Sequence, residues 1–219
     1  MRLLSVLKAS VFIACLLPLV RLLWLGFNGG LGANPIEFIT RSSGTWTLTF
    51  LLVTLGVTPM RRLSGWQWPI RLRRMLGLFA FFYACLHFTT YIWLDQFFDF
   101  SGIYQDIFKR PFITIGFTSF LLLIPLALTS TQAMMRRLGG RNWQRLHRLV
   151  YLIAVGGVLH YWWLVKKDVT QPAIYAAVLV LLLGYRLWYR LFSSETVMPE
   201  PNNDVSPQRT SGFVKGSHR

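Results

Sequence analysis

Acidic side chains are scarce in this sequence. It has 8 aspartates and glutamates among 219 residues, against 23 lysines and arginines, and charged residues of both signs make up only 14%. Cysteine is nearly absent too, and both copies, Cys15 and Cys85, fall inside long apolar runs. That excludes a disulfide framework and leaves no thiolate cluster for zinc or for iron and sulfur. No nucleophile stands with a partnering base, so the chemistry of hydrolysis has no obvious seat. No stretch between apolar runs reads strand, G-x-G-x-x-G turn and helix in order, so no nicotinamide-binding domain fits and reducing equivalents must come from another molecule.

What is present is apolar. Hydrophobic residues make up 53% of the chain and include 9 tryptophans, far too many for a soluble domain of this size. Six runs stand out, at about Val6 to Phe27, Ser42 to Met60, Met75 to Leu94, Phe112 to Leu128, Leu149 to Val165 and Ala173 to Phe192. Each is long enough to cross a hydrocarbon core of about 30 Å at about 1.5 Å per residue. The expected architecture is an all-α membrane protein, a six-transmembrane-helix bundle over residues 1–192. The remaining residues, 193–219, are rich in Pro, Ser and Asn without apolar periodicity and are expected to form a disordered cytoplasmic tail. Arg2 and Lys8 before the first run, and GLGA after it, resemble a cleavable signal. The run is longer than a signal's apolar core and Arg21 interrupts it, so a retained span is expected.

A formal net charge of +15 would suggest nucleic acid in a soluble protein, but its distribution points to membrane topology instead. Arg61, Arg62, Arg71, Arg73 and Arg74 lie between runs two and three, and Arg136, Arg137, Arg141 and Arg145 lie between runs four and five, with no acid among either set. Such connections face the cytoplasm. Glu37 and Arg41 after run one, and Asp95, Asp99 and Asp106 against Lys109 and Arg110 after run three, face outward. Lys166, Lys167 and Asp168 between runs five and six argue weakly the other way. Both termini are then cytoplasmic, lipid is the surrounding partner and nucleic acid is not one.

Histidine is rare enough to follow one by one. His87 lies thirteen residues after Arg74, and His160 thirteen after His147, on runs that both rise from the inner side. Each therefore sits about 19 Å beyond its inner-edge marker. Two imidazoles level with each other on neighbouring helices suit a bis-histidine heme, with the iron between them. They also suit an interhelical hydrogen-bonding pair or a proton path. An iron with both axial positions filled can relay an electron but has no position for dioxygen or substrate. His147, about 19 Å from His160 along one helix, cannot share its heme. It reads as an interfacial side chain among arginines or as a second functional position. His218 reads as a solvated tail residue.

The pieces GGLGANPIEFITRSSG, RRMLGLFAFFYACLHFTTY, KRPFITIG, LALTSTQAMMRRLG and RLHRLVYLIAVGGVLHYWWLVKK occur in order across all six runs. The pattern resembles the ferric reductase-like transmembrane superfamily. Within it, the pattern is similar to the heme-binding membrane subunits of bacterial periplasmic protein-methionine-sulfoxide reductase systems. The resemblance implies heme b carried by His87 and His160, His147 as a further heme-associated position, FMN as a second cofactor, and residence in the bacterial inner membrane. It also implies an electron-transfer subunit rather than an enzyme, one that feeds a periplasmic molybdenum-containing methionine sulfoxide reductase subunit repairing oxidised proteins. Related oxidases carry two histidines on the third span, whereas here the inner position is Arg74, so a second bis-histidine heme is not expected.

Two donors fit, a cytosolic flavin reductase acting through FMN and membrane quinol. Arg71, Arg73 and Arg74, facing Arg145 and His147, would offer charge-assisted hydrogen bonds to a flavin phosphate; the same arginines also satisfy plain topology. A quinol-linked cytochrome b with another acceptor and a heme-free channel or scaffold are the competing readings. GGLGANP and the acidic stretch from Asp95 to Asp106 are the expected outward docking surfaces.

Overall fold

A computed structural model describes residues 2–192; the expected tail, with His218, lies outside the described residues. The described chain is helical throughout: α1 Arg2–Phe27, α2 Pro35–Ser64, α3 Arg73–Thr90, α4 Phe100–Lys109, α5 Pro111–Leu128, α6 Gln132–Leu138, α7 Gly140–His147, α8 Leu149–Leu164 and α9 Thr170–Phe192. A 3-10 turn, Pro69–Arg71, precedes α3, and a π-helical turn, Tyr91–Asp95, prolongs it.

Local signals set the ends. At α2, Asn34 accepts from the Glu37 amide and Pro35 takes the first position, where its missing N–H costs nothing. Its far end closes on Gly65, whose φ of 73° is left-handed and whose N–H returns to the Arg61 carbonyl. Asp99 caps α4 by accepting from the Ser101 and Gly102 amides, and Thr131 caps α6 by accepting from the Met134 amide.

Four stretches are long and apolar enough to cross a membrane, Leu4–Phe27, Arg73–Asp95, Pro111–Leu128 and Thr170–Phe192. The other two apolar runs are also helical, as α2 and α8. α2 is less apolar because it is rich in hydroxyls, and several of these are satisfied within the helix: Ser43, Thr47, Thr49 and Thr54 each donate to the carbonyl four residues back, whereas the buried Thr40 and Thr58 hydroxyls have no hydrogen-bond partner among the described residues. It can carry them because it is largely enclosed, packing on α3, α8 and α9 and touching α1. The core gathers Leu48, Leu51 and Leu55 of α2, Phe79, Ala80 and Tyr83 of α3, and Ile153 and Ala154 of α8. Ala80 and Ala154 are fully buried, which lets their helices approach closely. The outer surface is apolar as well. Val180 and Leu181 on α9 are 68% and 72% exposed, which suits lipid and would be a liability in water.

Prolines inside two helices are repaired by side chains from elsewhere. Pro18 interrupts α1, and the Tyr83 hydroxyl enters the broken ladder there, donating to the Cys15 carbonyl at 2.8 Å and accepting from the Leu19 amide at 3.2 Å. Pro59 leaves the Leu55 carbonyl of α2 without its usual donor, and Arg186 of α9 supplies one at 2.7 Å. The same guanidinium donates to the Tyr151 hydroxyl of α8.

Candidate functional site

His87 on α3 and His160 on α8 meet inside the bundle. Each ring is held from behind in the same way. The Nδ1 of His87 donates to the Thr40 carbonyl of α2 at 2.9 Å, and the Nδ1 of His160 donates to the Phe112 carbonyl of α5 at 2.7 Å. A carbonyl can only accept, so the proton sits on Nδ1 and the Nε2 lone pair is left free. Four residues beyond each carbonyl stands a glycine, and this opens the approach. A Cβ at Gly44 would lie 3.0 Å from the His87 ring, and one at Gly116 would lie 2.6 Å from Nδ1 of His160. The two half-sites therefore share one construction, a carbonyl at position i, a glycine at i+4 and a histidine from the adjacent helix.

The ring centroids are 6.1 Å apart and the planes cross at 79°. A metal bonded to both Nε2 atoms at about 2.0 Å, with each ring's own radius added, asks for roughly 6 Å. The space belongs to a cavity of about 310 Å³ walled by Leu48, Phe88, Phe117, Phe120 and Ile153, with Arg41, Asp95 and Arg110 as its charged lining. Among the described residues no cluster of three or more His, Cys, Asp or Glu side chains could hold a metal. Two imidazoles alone cannot complete the coordination of a bare ion, so the site fits a metal that brings its own equatorial donors, as a porphyrin does. The carbonyl contacts fix both rings and raise their basicity as ligands.

His147 closes α7 at the other end of α8 and joins a separate cluster. Its ring stacks on Trp143, with centroids 4.0 Å apart, and its Nε2 is hydrogen-bonded at 3.1 Å to the Thr129 hydroxyl, while the Trp143 Nε1 donates to the Thr129 carbonyl. Burial, reinforced by the charge of Arg73, holds the imidazole below its ordinary pKa and so keeps it neutral. Arg73 is half-buried and also within electrostatic reach of Arg186, whereas Arg74 is exposed. Of the expected inner-side residues, the structure brings together His147 and Arg73.

Thr40, Gly44, Phe112, Gly116 and Arg186 were not legible as site or support residues. Their roles depend on which helix lies beside which, although a proline four residues after Leu55 did mark a carbonyl in need of a donor. The acidic stretch expected to dock a partner also makes structural contacts of its own. Asp99 is spent as a helix cap, and Asp106 pairs with Arg110 at 3.2 Å and accepts from Tyr91 and Gln96.

Residues 42–158 match the family described as ferric reductase like transmembrane component. The chain is 59% identical over 188 residues, covering 85% of itself and 86% of the relative, to the protein-methionine-sulfoxide reductase heme-binding subunit MsrQ of Herminiimonas arsenicoxydans. It is 56% identical over 191 residues, 87% of itself and 82% of the relative, to the protein of the same name from Azospira oryzae. It is 59% identical over 183 residues, 82% of itself and 86% of the relative, to that of Rhodospirillum rubrum.

Proposed function

The chain belongs to the ferric reductase-like transmembrane family, among the heme-binding subunits of protein-methionine-sulfoxide reductases, and from that premise we propose that it is a b-type cytochrome of the bacterial inner membrane. It passes electrons from a cytoplasmic-side donor to a periplasmic, molybdenum-dependent methionine sulfoxide reductase that repairs oxidised proteins. The observation that carries this reading is the pair of facing imidazoles with free Nε2 atoms, 6.1 Å between centroids. Residues 1–192 form the working unit, with six spans and both termini in the cytoplasm, as the arginine-rich connections favour.

In this reading His87 and His160 would hold the heme through their free Nε2 atoms. Heme, when bound, supplies a one-electron carrier. The chain's own part is to fix the two rings and exclude water with a largely apolar wall; with both imidazoles committed to it, the group would supply electron relay rather than substrate conversion. At the inner face Arg73 and Arg74 are assigned to FMN, with guanidinium groups suited to its phosphate, and the neighbouring His147 is the further heme-associated position. A cytosolic flavin reductase is the donor on that assignment.

One observation supports a quinol reading in which electrons enter from the membrane near the outward-facing connections, where Arg41, Lys166, Lys167 and Asp168 lie, rather than at the inner face. A second cavity, of about 1040 Å³, shares Arg41, Thr45, Tyr161 and Leu164 with the histidine cavity, so only a layer of side chains separates the two. The test is a visible spectrum of the detergent-purified protein, with extracted heme and flavin quantified and with reduction by a flavin donor and by quinol timed separately. A low-spin heme spectrum with FMN and fast reduction by the flavin donor is expected. A colourless protein would refute the cytochrome reading, and heme without flavin reduced only by quinol would move the donor to the membrane.

A further inference from the structure

Between α3 and α5 the chain forms α4, a helix of ten residues that neither crosses the membrane nor joins the heme ligands. Its side chains divide into three facets. Taking Phe100 as the origin and turning about 100° per residue, Phe100, Tyr104 and Phe108 fall near about 0°, 40° and 80°. They are 70%, 66% and 70% exposed. Ser101, Gln105 and Lys109 follow at about 100°, 140° and 180°, and all three are exposed polar side chains, with Lys109 donating to Gln105. The remaining arc faces the protein. Ile103 is buried, Ile107 lines the histidine cavity, and Asp106 bonds Tyr91, Gln96 and Arg110.

A surface helix in water needs two facets, one for the core and one for solvent. A third, wholly aromatic facet beside the polar one is what a helix needs where protein, lipid and water meet. The chain path agrees. α4 begins five residues after the membrane-crossing stretch Arg73–Asp95 and ends two residues before Pro111–Leu128 begins. The turn into it is forced, since Phe97 and Phe98 both adopt positive φ, 47° and 62°, and both rings are exposed, 76% and 54%. Two consecutive residues with positive φ turn the chain there and leave two more aromatic rings on the surface just before α4.

We propose that α4 is a membrane-surface helix. Its Phe100–Tyr104–Phe108 facet is seated in the headgroup and upper acyl region of the leaflet nearest His87 and His160, and its polar facet lies in water. The occupant of the aromatic facet is lipid. A protein partner would more readily engage the polar facet, which is the one turned to solvent.

The test is a nitroxide scan of positions 100–109 in proteoliposomes, in variants carrying Cys15→Ser and Cys85→Ser and one cysteine at a time, with collision rates measured for oxygen and for a water-soluble nickel chelate. The oxygen-to-nickel ratio is expected to be several-fold higher at positions 100, 104 and 108 than at 101, 105 and 109. Equal nickel access at both sets would overturn the proposal and leave the aromatic facet for a protein. Hydroxyl-radical footprinting of the unsubstituted chain in the same vesicles checks the scan without mutation. Tyr104 and Phe108 should be protected there and exposed only when the lipid is replaced by a short-chain detergent; oxidation of both in intact vesicles would also sink the idea. Neither measurement depends on heme or flavin content.

Discussion

The imidazoles of His87 and His160 stand with their centroids 6.1 Å apart and their planes crossed at 79°, and each is tethered through Nδ1 to a carbonyl of a different helix, Thr40 on α2 and Phe112 on α5. The tethers fix the tautomer and the direction of both rings, so on the proposed assignment loss of either ring would remove one of two protein ligands to the heme. His87→Ala and His160→Ala should each abolish the low-spin bis-histidine spectrum and most of the bound heme. A variant that keeps that spectrum would show the wrong ligand had been assigned.

The glycines behind the rings should matter unequally. A methyl group at Gly116 would meet His160 Nδ1 at 2.6 Å, whereas one at Gly44 would meet His87 at 3.0 Å. Gly116→Ala is expected to displace its ring and lower heme retention several-fold, and Gly44→Ala to do so more mildly. Heme-to-protein ratio together with the electron paramagnetic resonance g-values reads both; equal, unaltered signals would show that the rings are not confined from behind.

Tyr83→Phe removes the hydroxyl that bridges the interrupted ladder of α1 and leaves a carbonyl and an amide of the bundle unpaired. A loss of about 1–3 kcal/mol is expected, measured as a lower unfolding midpoint in detergent, with the heme spectrum of the folded protein unchanged. An unaltered midpoint would mean that water or the helix itself makes up the bonds.

His147 provides a pH dependence. Burial and Arg73 hold its pKa below the unfolded value, so the folded state prefers the neutral ring. The stability this gives is fully present above the unfolded pKa of about 6.5 and is lost as pH falls through the lower, folded value. Unfolding midpoints followed from about pH 8 to about pH 5 should decline, and His147→Gln should flatten the part of the decline due to this group. A slope identical in the two proteins would assign it to other residues.

The inner arginines should separate as well. Arg73 is half-buried next to His147, whereas Arg74 is exposed. If FMN is held there, Arg73→Ala should lower FMN retention and slow stopped-flow reduction from a flavin donor more than Arg74→Ala does. No change in either quantity, with efficient reduction by quinol, would transfer the entry point to the membrane.

Reporter fusions at Arg62 and Arg137 should read as cytoplasmic, and those near Asn34 and Asp99 as periplasmic. A cytoplasmic signal at Asn34 would reverse the electron path.

The helices and the depth of the histidines were legible in the sequence because both follow from quantities fixed along the chain. A continuous apolar run of span length can satisfy its backbone within itself only as a helix, and all six runs coincide with helices. The constant rise per residue puts His87 and His160 level from spacing alone. Which way each ring turns, and what holds it, depends on azimuth and on the identity of the neighbouring helix. Gly44, Gly116 and the carbonyls of Thr40 and Phe112 became part of the site only once α2 lay on α3 and α5 on α8. Arg186 likewise reads as one more basic residue until α9 brings it to the carbonyl that Pro59 leaves open. Asp106 reads as a free surface charge until the chain turns at Phe97 and Phe98 and brings it to Tyr91, Gln96 and Arg110. Spacing in one dimension determines depth and length, whereas contacts around the helix axis are decided by tertiary packing.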